Sequence, residues 1–406
     1  MSPDIAHDTP LIATLAVGLA LAFALGFLAA RLRMPPLVGS LRAGVAIGPF
    51  TPGFVADVEL APPLAEIGVI LLMFGVGIHF SMKDLLAVWK IAVPGAIAQI
   101  AVATGLGAGL AILWGWSPGP ALTFGLALSV ASTVVLLRAL EAQNLLNATE
   151  GRIAVGWLIV EDLVMVLVLV LLPGFAGLLS NGPAAGTQPA TEFGQSLWQT
   201  LALTLGKVAI FVVLMLVVGS RVFPWILRNV DRTNSRELFT LAVIVLSVGI
   251  AYGSAVLFGV SFALGAFFAG VVVSESDYHH RVSRRSQPLQ DAFAVLFFVA
   301  VGMLFDPSIL IREPLAVLGV VAIIVVGKSL AALAIVLMLG YPARTAFTVS
   351  GALAQIGEFS FVLAGLGITL KILPPESQSL IVAGALLSIA LNPVVFATIG
   401  RFARPT

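Results

Sequence analysis

Long uninterrupted apolar runs are the feature that most limits what this chain can fold into. Runs of about 20 apolar residues recur along the sequence, and a helix needs about that many residues to cross the hydrocarbon core of a bilayer. The strands of a membrane β-barrel would instead alternate apolar and polar residues. Hydrophobic residues make up 59% of the chain and charged residues 10%, far from the balance of a water-soluble domain. The sequence therefore predicts an all-α polytopic membrane protein.

Counting apolar runs between charged or Pro- and Gly-rich breaks gives the predicted membrane helices. Thirteen are predicted, at 11–30, 37–50, 62–80, 87–114, 118–139, 150–172, 196–220, 236–257, 259–274, 289–305, 314–339, 343–370 and 377–400.

Several classes of function are disfavoured by composition. The first ten residues, MSPDIAHDTP, contain no Lys or Arg, so they lack the basic start of a cleaved signal peptide and the first apolar run is predicted to be a span. The chain has no cysteine, which excludes disulfides and thiol chemistry. A net charge of +1, with no basic stripe outside short loops, argues against nucleic acid as a partner.

Basic residues are distributed unevenly between the predicted loops. When the loops are assigned alternately to two sides, sixteen basic residues fall on one side and only Arg312 and Lys371 on the other. The positive-inside rule makes the first side cytoplasmic, with the N-terminus outside and the C-terminus inside. Three basic residues, Arg42, Lys207 and Lys328, lie within predicted spans.

Two pairs of segments indicate an internal repeat. PLAEIGVILLMFGVGIHF (63–80) matches PLQDAFAVLFFVAVGMLF (288–305) at six positions, and GSLRAGV (39–45) matches GAFFAGV (265–271) at nearly the same offset. The offset corresponds to a shift of seven helices, and an odd shift inverts the second copy in the membrane. Two inverted repeats with a binding site near the midplane are typical of secondary transporters. The predicted parts are repeat 1 at 11–172, a linker helix at 196–220 and repeat 2 at 236–400.

An acidic pair lies in the middle of the sixth predicted helix. The stretch WLIVEDLVMVL places Glu161 and Asp162 within the apolar run 153–172. A charge at this depth costs at least about 2.5–3.5 kcal/mol, so such residues face protein or water and usually have partners. Adjacent helical residues point about 100° apart, so the two acids need different partners. We expect Asp162 to face a cavity and bind a cation or proton, and Glu161 to pair with Lys328. A static ion-pair network that holds helices together would explain Glu161 with Lys328, but it accounts poorly for Asp162 as a second, adjacent acid.

Polar interruptions also divide the fifth and twelfth predicted helices, in LSVASTVV (128–135) and ALAQIGEFSF (352–361). Both segments could be locally unwound, and unwound halves present carbonyl oxygens to cations. For either segment alone, close packing of small residues is an alternative. Corresponding breaks in both repeats favour a crossed-helix site. The predicted ion- and proton-binding residues are Asp162, Glu161, Ser132, Thr133, Glu358 and Gln355, with Lys328 as charge partner.

Four further segments have a recognisable pattern: STVVLLRALEAQNLLNATEGR before the acidic pair, AGVVVSESDYHHRV, LFFVAVGMLFD and AQIGEFSFVL. On these segments the chain resembles the Kef-type potassium efflux proteins of the monovalent cation:proton antiporter-2 family, in particular the YbaL-type branch. The resemblance extends over essentially the whole chain. It implies an NhaA-like fold with a dimerisation domain and a mobile core domain, and a homodimer. It also implies that Asp162 is the ion-binding carboxylate and that Lys328 is the basic residue of the second repeat.

The sequence departs from the family pattern at two positions. The position before the ion-binding acid is often Gln, Asn or Asp in the family and is Glu161 here, which leaves the proton stoichiometry open. Arg42 stands where relatives tend to have an apolar residue.

The resemblance also bears on regulation. Kef-type chains usually continue into a cytoplasmic nucleotide-binding domain of Rossmann type, but these residues contain no strand-linked GxGxxG. The segment SESDYHHRVSRR (274–285) resembles the one through which such regulators act, which makes Glu275, Asp277, His279 and His280 candidate regulatory residues. The adjacent histidines are poorly placed to share a metal on a helix, so we interpret them as surface residues, with pH sensing as the lesser alternative.

The sequence thus predicts K⁺/H⁺ exchange by alternating access in a bacterial inner membrane. No resident cofactor, no enzymatic activity and no metal other than the transported ion are expected. The partners would be K⁺ or Na⁺, protons, lipid, a second copy and a nucleotide-binding regulatory domain. The alternatives are Na⁺/H⁺ exchange and Na⁺-coupled symport of an organic anion, for which Arg42 would be the basic contact. A K⁺ channel is disfavoured by the lack of a TVGYG-like filter, and an intramembrane enzyme by the lack of HExxH and by acids that do not converge.

Overall fold

The computed structural model describes residues 10–32, 34–79, 82–146, 148–180, 202–203 and 206–402. Every regular element in these ranges is helical. The helices are α1 (Pro10–Arg31), α2 (Pro36–Ile47), α3 (Ala61–His79), α4 (Met82–Leu113), α5 (Pro118–Ala127), α6 (Thr133–Ala142), α7 (Thr149–Leu179), α8 (Gly206–Asp231), α9 (Arg236–Phe258), α10 (Phe262–Ser274), α11 (His279–Met303), α12 (Ile309–Arg312), α13 (Pro314–Met338), α14 (Ala343–Ala352), α15 (Glu358–Thr369) and α16 (Glu376–Phe402).

Nine helices in the described part of the chain are long and apolar enough to cross a membrane, and α2, α10 and α15 are shorter apolar helices. The all-α polytopic class predicted from the sequence is confirmed. The spans differ in how much protein surrounds them. In its most apolar window α7 is 61% buried, whereas α8 and α9 are 28% buried. The helix that carries the acidic pair therefore lies inside the protein, while α8 and α9 present apolar side chains outward.

Helix packing forms two groups that matter for the site. In one, α3 lies against α10 and α11, and α1 lies against α2. In the other, α4 lies against α5 and α7, and α13 lies against α14. The second group encloses a buried apolar cluster around Trp157, with Ile91, Leu136 and Val349 among its members. This cluster supports one side of the acidic pair, because Trp157 lies one turn before Glu161 on α7.

Three predicted boundaries are wrong, because the prediction ends a helix wherever charged or Pro- and Gly-rich residues interrupt an apolar run. The predicted linker helix 196–220 extends to Asp231 in α8, because Phe223 and Leu227 lie one turn apart and are buried while Arg221 and Arg228 are exposed. Most of residues 196–205 lie outside the described ranges. The predicted helix 150–172 extends to Leu179, and the predicted helix 289–305 begins earlier, at His279.

Two predicted single helices, 118–139 and 343–370, are each broken in the middle. The first is divided into α5 and α6 by residues 128–132, and the second into α14 and α15 by residues 353–357. These breaks lie in the two segments for which the sequence predicts local unwinding.

Candidate ion-exchange site

The first break ends at a capped helix start. Ser132 has extended backbone angles, and its Oγ accepts a hydrogen bond from Val135 N at 3.4 Å. A serine in this position satisfies one of the amides that the first turn of α6 leaves without a helical partner. Thr133 is the first residue of α6, and Glu358 is likewise the first residue of α15. Each break thus leads into a new helix N-terminus that starts with a polar side chain.

The two breaks cross in direct contact. A Cβ atom added to Gly357 would lie 2.4 Å from Ser132 Cα and 2.6 Å from Ser132 Cβ. Real Cβ atoms do not approach that closely, so only glycine lets the second break lie on the backbone of the first. The crossing point is therefore fixed by sequence at this one position.

Gln355 joins the breaks by hydrogen bonds. Its Oε1 accepts from Ser132 N at 2.9 Å, and its Nε2 donates to Ser132 O at 3.2 Å. Ser132 Oγ in turn donates to Glu358 Oε2 at 3.2 Å. Gln355 and Ser132 are both fully buried, so these bonds satisfy backbone groups that water cannot reach.

The acidic pair reaches the first break through two different contacts. Glu161 is completely buried, and its Oε2 accepts from Ala131 N at 2.8 Å. Asp162 is 5% exposed, and its Oδ2 accepts from Thr133 Oγ1 at 3.3 Å. The second oxygen of each acid, Glu161 Oε1 and Asp162 Oδ1, has no hydrogen-bond partner among the described residues. The adjacent acids therefore contact different groups, and each retains one acceptor atom that a ligand or proton could use.

Lys328 lies at the second break. It is completely buried, and its Nζ donates to Gln355 O at 3.0 Å. Lys328 and Glu161, both described residues, attract each other electrostatically, but their charged atoms are not among the ion pairs within 4.0 Å. The sequence predicts a direct contact between Lys328 and Glu161. In this conformation Lys328 instead donates to the Gln355 carbonyl, because the break leaves that carbonyl without a helical donor.

The structure brings together seven residues singled out from the sequence and separates four others. The seven are Glu161, Asp162, Ser132, Thr133, Gln355, Glu358 and Lys328. Glu275 and Asp277 are exposed in the turn between α10 and α11. His279 and His280 begin α11, with ring centroids 4.8 Å apart. In the part of the chain that the structure describes, no group of three or more His, Cys, Asp or Glu could hold a metal ion.

Two contacting side chains were missed from the sequence. Gln99 in α4 is completely buried and its Nε2 donates to Ser129 O at 3.0 Å. Asn392 in α16 is 1% exposed and its Nδ2 donates to Gly351 O at 3.1 Å. Both are isolated amides within apolar runs, which is the same signal that identifies Gln355.

The charges of the site limit what it can do. Glu161, Asp162 and Glu358 are three buried acids, and Lys328 is the one buried base among the described residues. With all four ionised the cluster would hold two more negative than positive charges, which a water-poor interior does not tolerate. Protons or bound cations must supply the balance. Exchangeable positive species at a site where two helices are broken are typical of secondary transporters.

Comparison with known proteins agrees with this class. The family model described as sodium/hydrogen exchanger, transmembrane, matches residues 17–401. The putative cation/proton antiporter YbaL of Escherichia coli (strain K12) is 59% identical over 400 residues, covering 98% of this chain and 70% of that protein. K(+) efflux antiporter 4 of Arabidopsis thaliana is 31% identical, covering 97% of this chain and 64% of its own length. The chain belongs to the transmembrane sodium/hydrogen exchanger family, in its Kef-type, monovalent cation:proton antiporter-2 branch, which is a family of multi-pass transporters.

A solved structure shares the fold. The sodium proton antiporter MjNhaP1 from Methanocaldococcus jannaschii at pH 8 superposes with a TM-score of 0.68 and 16% sequence identity, covering 96% of this chain and 97% of that one. At this identity the likeness concerns the arrangement of helices alone.

Proposed function

We propose that this chain is a secondary active antiporter that exchanges a monovalent cation, K⁺, for protons at Asp162. The observation that carries the proposal is the free Oδ1 oxygen of this buried carboxylate beside the crossing breaks. Membership of the exchanger family supports the same activity.

The charge balance explains why cation and proton would exclude each other. Asp162 is repelled by the charges of Glu358 and Glu161, so a positive species bound at Asp162 is stabilised by all three acids. A proton on Asp162 removes the charge that holds the cation, and a cation removes the need for the proton. Competition for one site is sufficient for exchange, provided that the site opens to one side of the membrane at a time.

Each neighbour has a role in this proposal. Thr133 Oγ1 lies 3.3 Å from Asp162 Oδ2, so a cation at Asp162 can take the hydroxyl oxygen as a second ligand, and oxygen ligands suit alkali cations. Ser132 and Gln355 hold the break in position, and Glu358 contributes negative charge. Lys328 remains as a fixed counter-charge near Glu161.

The choice of K⁺ rests on the relatives. K(+) efflux antiporters 4, 5 and 6 of Arabidopsis thaliana match nearly the whole chain. The sodium proton antiporter that shares the fold keeps Na⁺/H⁺ exchange as the alternative. The proteoliposome test compares both ions.

We infer that alternating access follows from two inverted six-helix repeats. In this plan the chain has thirteen membrane helices in an NhaA-like arrangement. The starts of α6 and α15, Thr133 and Glu358, are separated by the same 225 residues as the segments 63–80 and 288–305. Equivalent breaks in two halves support the repeat, and rocking or sliding of one part against the other would expose the site in turn.

The setting in the cell completes the proposal. We place the protein in a bacterial inner membrane as a homodimer, with the N-terminus outside and the C-terminus in the cytoplasm. The turn with Glu275 and Asp277, together with His279 and His280, would be the contact for a nucleotide-binding regulatory domain.

Organic-anion symport lacks its predicted substrate contact. Arg42 is exposed on α2, which packs chiefly against α1 and α11 rather than against the broken helices. The one basic residue that the sequence offered for an anion is therefore not part of the acidic cluster.

The test is cation-driven proton movement in proteoliposomes. With a pH-sensitive dye inside, adding K⁺ outside should raise the lumenal pH, because K⁺ enters as protons leave. Asp162→Asn should abolish the signal, since the amide keeps the shape but holds neither a proton nor a compensating charge. Asp291→Asn, an exposed acid on α11, is the matched control and should exchange at the wild-type rate.

Two further arms sharpen the outcome. Repeating the assay with Na⁺ decides the ion, and a response to Na⁺ alone would keep the exchange mechanism and reject the choice of K⁺. Glu161→Gln, with the exposed Glu237→Gln as control, tests the role of the first acid. If neither ion moves protons in monodisperse wild-type protein, the antiporter proposal is wrong and labelled-anion uptake becomes the next assay.

A further inference from the structure

Each helix break is held by one side-chain donor from a neighbouring long helix. Lys328 of α13 donates to Gln355 O in the second break, and Gln99 of α4 donates to Ser129 O in the first. The two accepting residues are 226 positions apart, close to the offset of the sequence repeat. The helices that provide the donors also pack against each other. The breaks are thus held in the same way, once by a charged amine and once by a neutral amide.

The packing register brings Gln99 to the same stretch of backbone as the acidic pair. A Cβ atom on Gly95 of α4 would lie 2.2 Å from the Trp157 ring. Gln99 follows Gly95 by one turn of α4, and Glu161 follows Trp157 by one turn of α7. Gln99 bonds to Ser129 O and Glu161 accepts from Ala131 N, which belong to consecutive peptide groups. The two side chains therefore fix one short segment from two helices.

We propose that Gln99 is a positioning residue of the exchange site: its amide fixes the Ser129 carbonyl, and through residues 128–132 it sets the place of Thr133 beside Asp162. This inference deepens the proposed exchange function and rests on it. The lack of charge on Gln99 matters, because a cationic side chain at this position would add a second positive charge beside that of Lys328 and repel the transported cation. Within the part of the chain that the structure describes, Gln99 Oε1 meets no donor, so the single bond from Nε2 carries this role.

The first experiment measures the backbone without any transport. Hydrogen–deuterium exchange of a peptide covering 128–135 is compared between wild type and Gln99→Met, which keeps length and volume but removes the donor. Loss of one buried neutral hydrogen bond should speed exchange of this peptide by about three- to tenfold. The control is Gln290→Met, which removes a buried amide whose Nε2 donates to Ser286 Oγ at 2.8 Å on α11, and it should leave the peptide unchanged.

The second experiment measures transport with the same variants in proteoliposomes. Gln99→Met should raise the KM for the cation by about three- to tenfold, with a smaller change in maximum rate, whereas Gln290→Met should keep the wild-type KM. Gln99→Lys restores a donor and should restore slow exchange of the 128–135 peptide, but its added charge should still raise the KM.

The inference is overturned if Gln99→Met behaves like wild type in both measurements. It is also overturned if Gln99→Lys does not slow hydrogen–deuterium exchange of the 128–135 peptide. The two proposals fail separately. If wild-type protein moves no protons, the proposed antiport function is wrong. Hydrogen–deuterium exchange of residues 128–135 still decides whether Gln99 holds the break.

Discussion

Ser132 performs two tasks with one hydroxyl group. Its Oγ accepts from Val135 N at the start of α6 and donates to Glu358 Oε2 across the crossing. The first contact is a helix cap and concerns stability, whereas the second gives a buried carboxylate one of its few donors. These two contributions can be separated by comparing two variants. One removes the hydroxyl of Ser132, and the other removes the hydroxyl of a serine that only caps a helix.

Ser132→Ala is expected to lower both stability and exchange. Loss of the cap should cost about 0.5–2 kcal/mol, and loss of the donor to Glu358 should slow cation-driven proton movement. Ser261 caps α10 with an equally long bond to Leu264 N, 3.4 Å. Ser261→Ala should show a similar fall in thermal stability in detergent and no fall in the exchange rate. Equal loss of exchange in both variants would show that only folding is being measured.

Among single residues, the sequence best identifies those whose charge carries a high free-energy cost within the membrane. Glu161, Asp162, Lys328 and Glu358 stand out because a charged side chain in an apolar run needs a physical reason. Gln99 did not, since a neutral amide costs less and isolated amides also occur in ordinary helix packing. The partner of Lys328 could not be predicted either, because a long amine can reach a carboxylate or a backbone carbonyl and sequence does not give the distances.

The two helix breaks meet in close contact where α15 begins. Gly357 precedes this helix and lies on the Ser132 backbone, so the contact between the breaks depends on the absence of one methyl group. Gly365, further along the same helix, has nothing within 4 Å of an added Cβ.

Gly357→Ala should therefore destabilise the protein by about 1–3 kcal/mol, as overpacking of a close-packed interior usually does, and should abolish exchange by separating the breaks. Gly365→Ala should be neutral or stabilising, because alanine favours a helix interior by up to about 1 kcal/mol over glycine. Thermal unfolding and the proteoliposome assay are the measurements. A Gly357→Ala protein with normal stability and rate would contradict the close crossing of the two breaks.

Element boundaries were predicted less well than element positions. Apolar-run counting identifies the part of a helix inside the hydrocarbon and ignores turns that continue into water, such as His279 at the start of α11 or Asp231 at the end of α8. The breaks at 128–132 and 353–357 were predicted from Ser, Thr and Gly in long helices. Their crossing required the long-range packing that only the folded chain provides.

At the scale of the whole molecule, orientation in the membrane is the property that the sequence predicts and that a simple experiment can test. The chain contains no cysteine, so a single introduced cysteine reports its own side without background. Thr233 lies between α8 and α9, and Glu313 lies between α12 and α13, and both are exposed.

Glu313→Cys should react with a membrane-impermeant maleimide in intact cells, because its loop is predicted to be outside. Thr233→Cys should react only after permeabilisation, because the Arg-rich loop around it is retained in the cytoplasm by the positive-inside rule. The cysteine-free parent protein is the background control. The reverse labelling pattern would invert the assignment of both termini.

The hydrogen bonds of Gln355 to both the N and the O of Ser132 have a mechanical consequence. They leave the crossing without an internal hinge, so the four half-helices behave as one rigid piece at that point. A displacement that brings the crossing nearer to one membrane face must carry both breaks over the same distance. In the proposed exchange cycle, the distance over which this rigid piece moves would then set the distance over which the bound ion is carried.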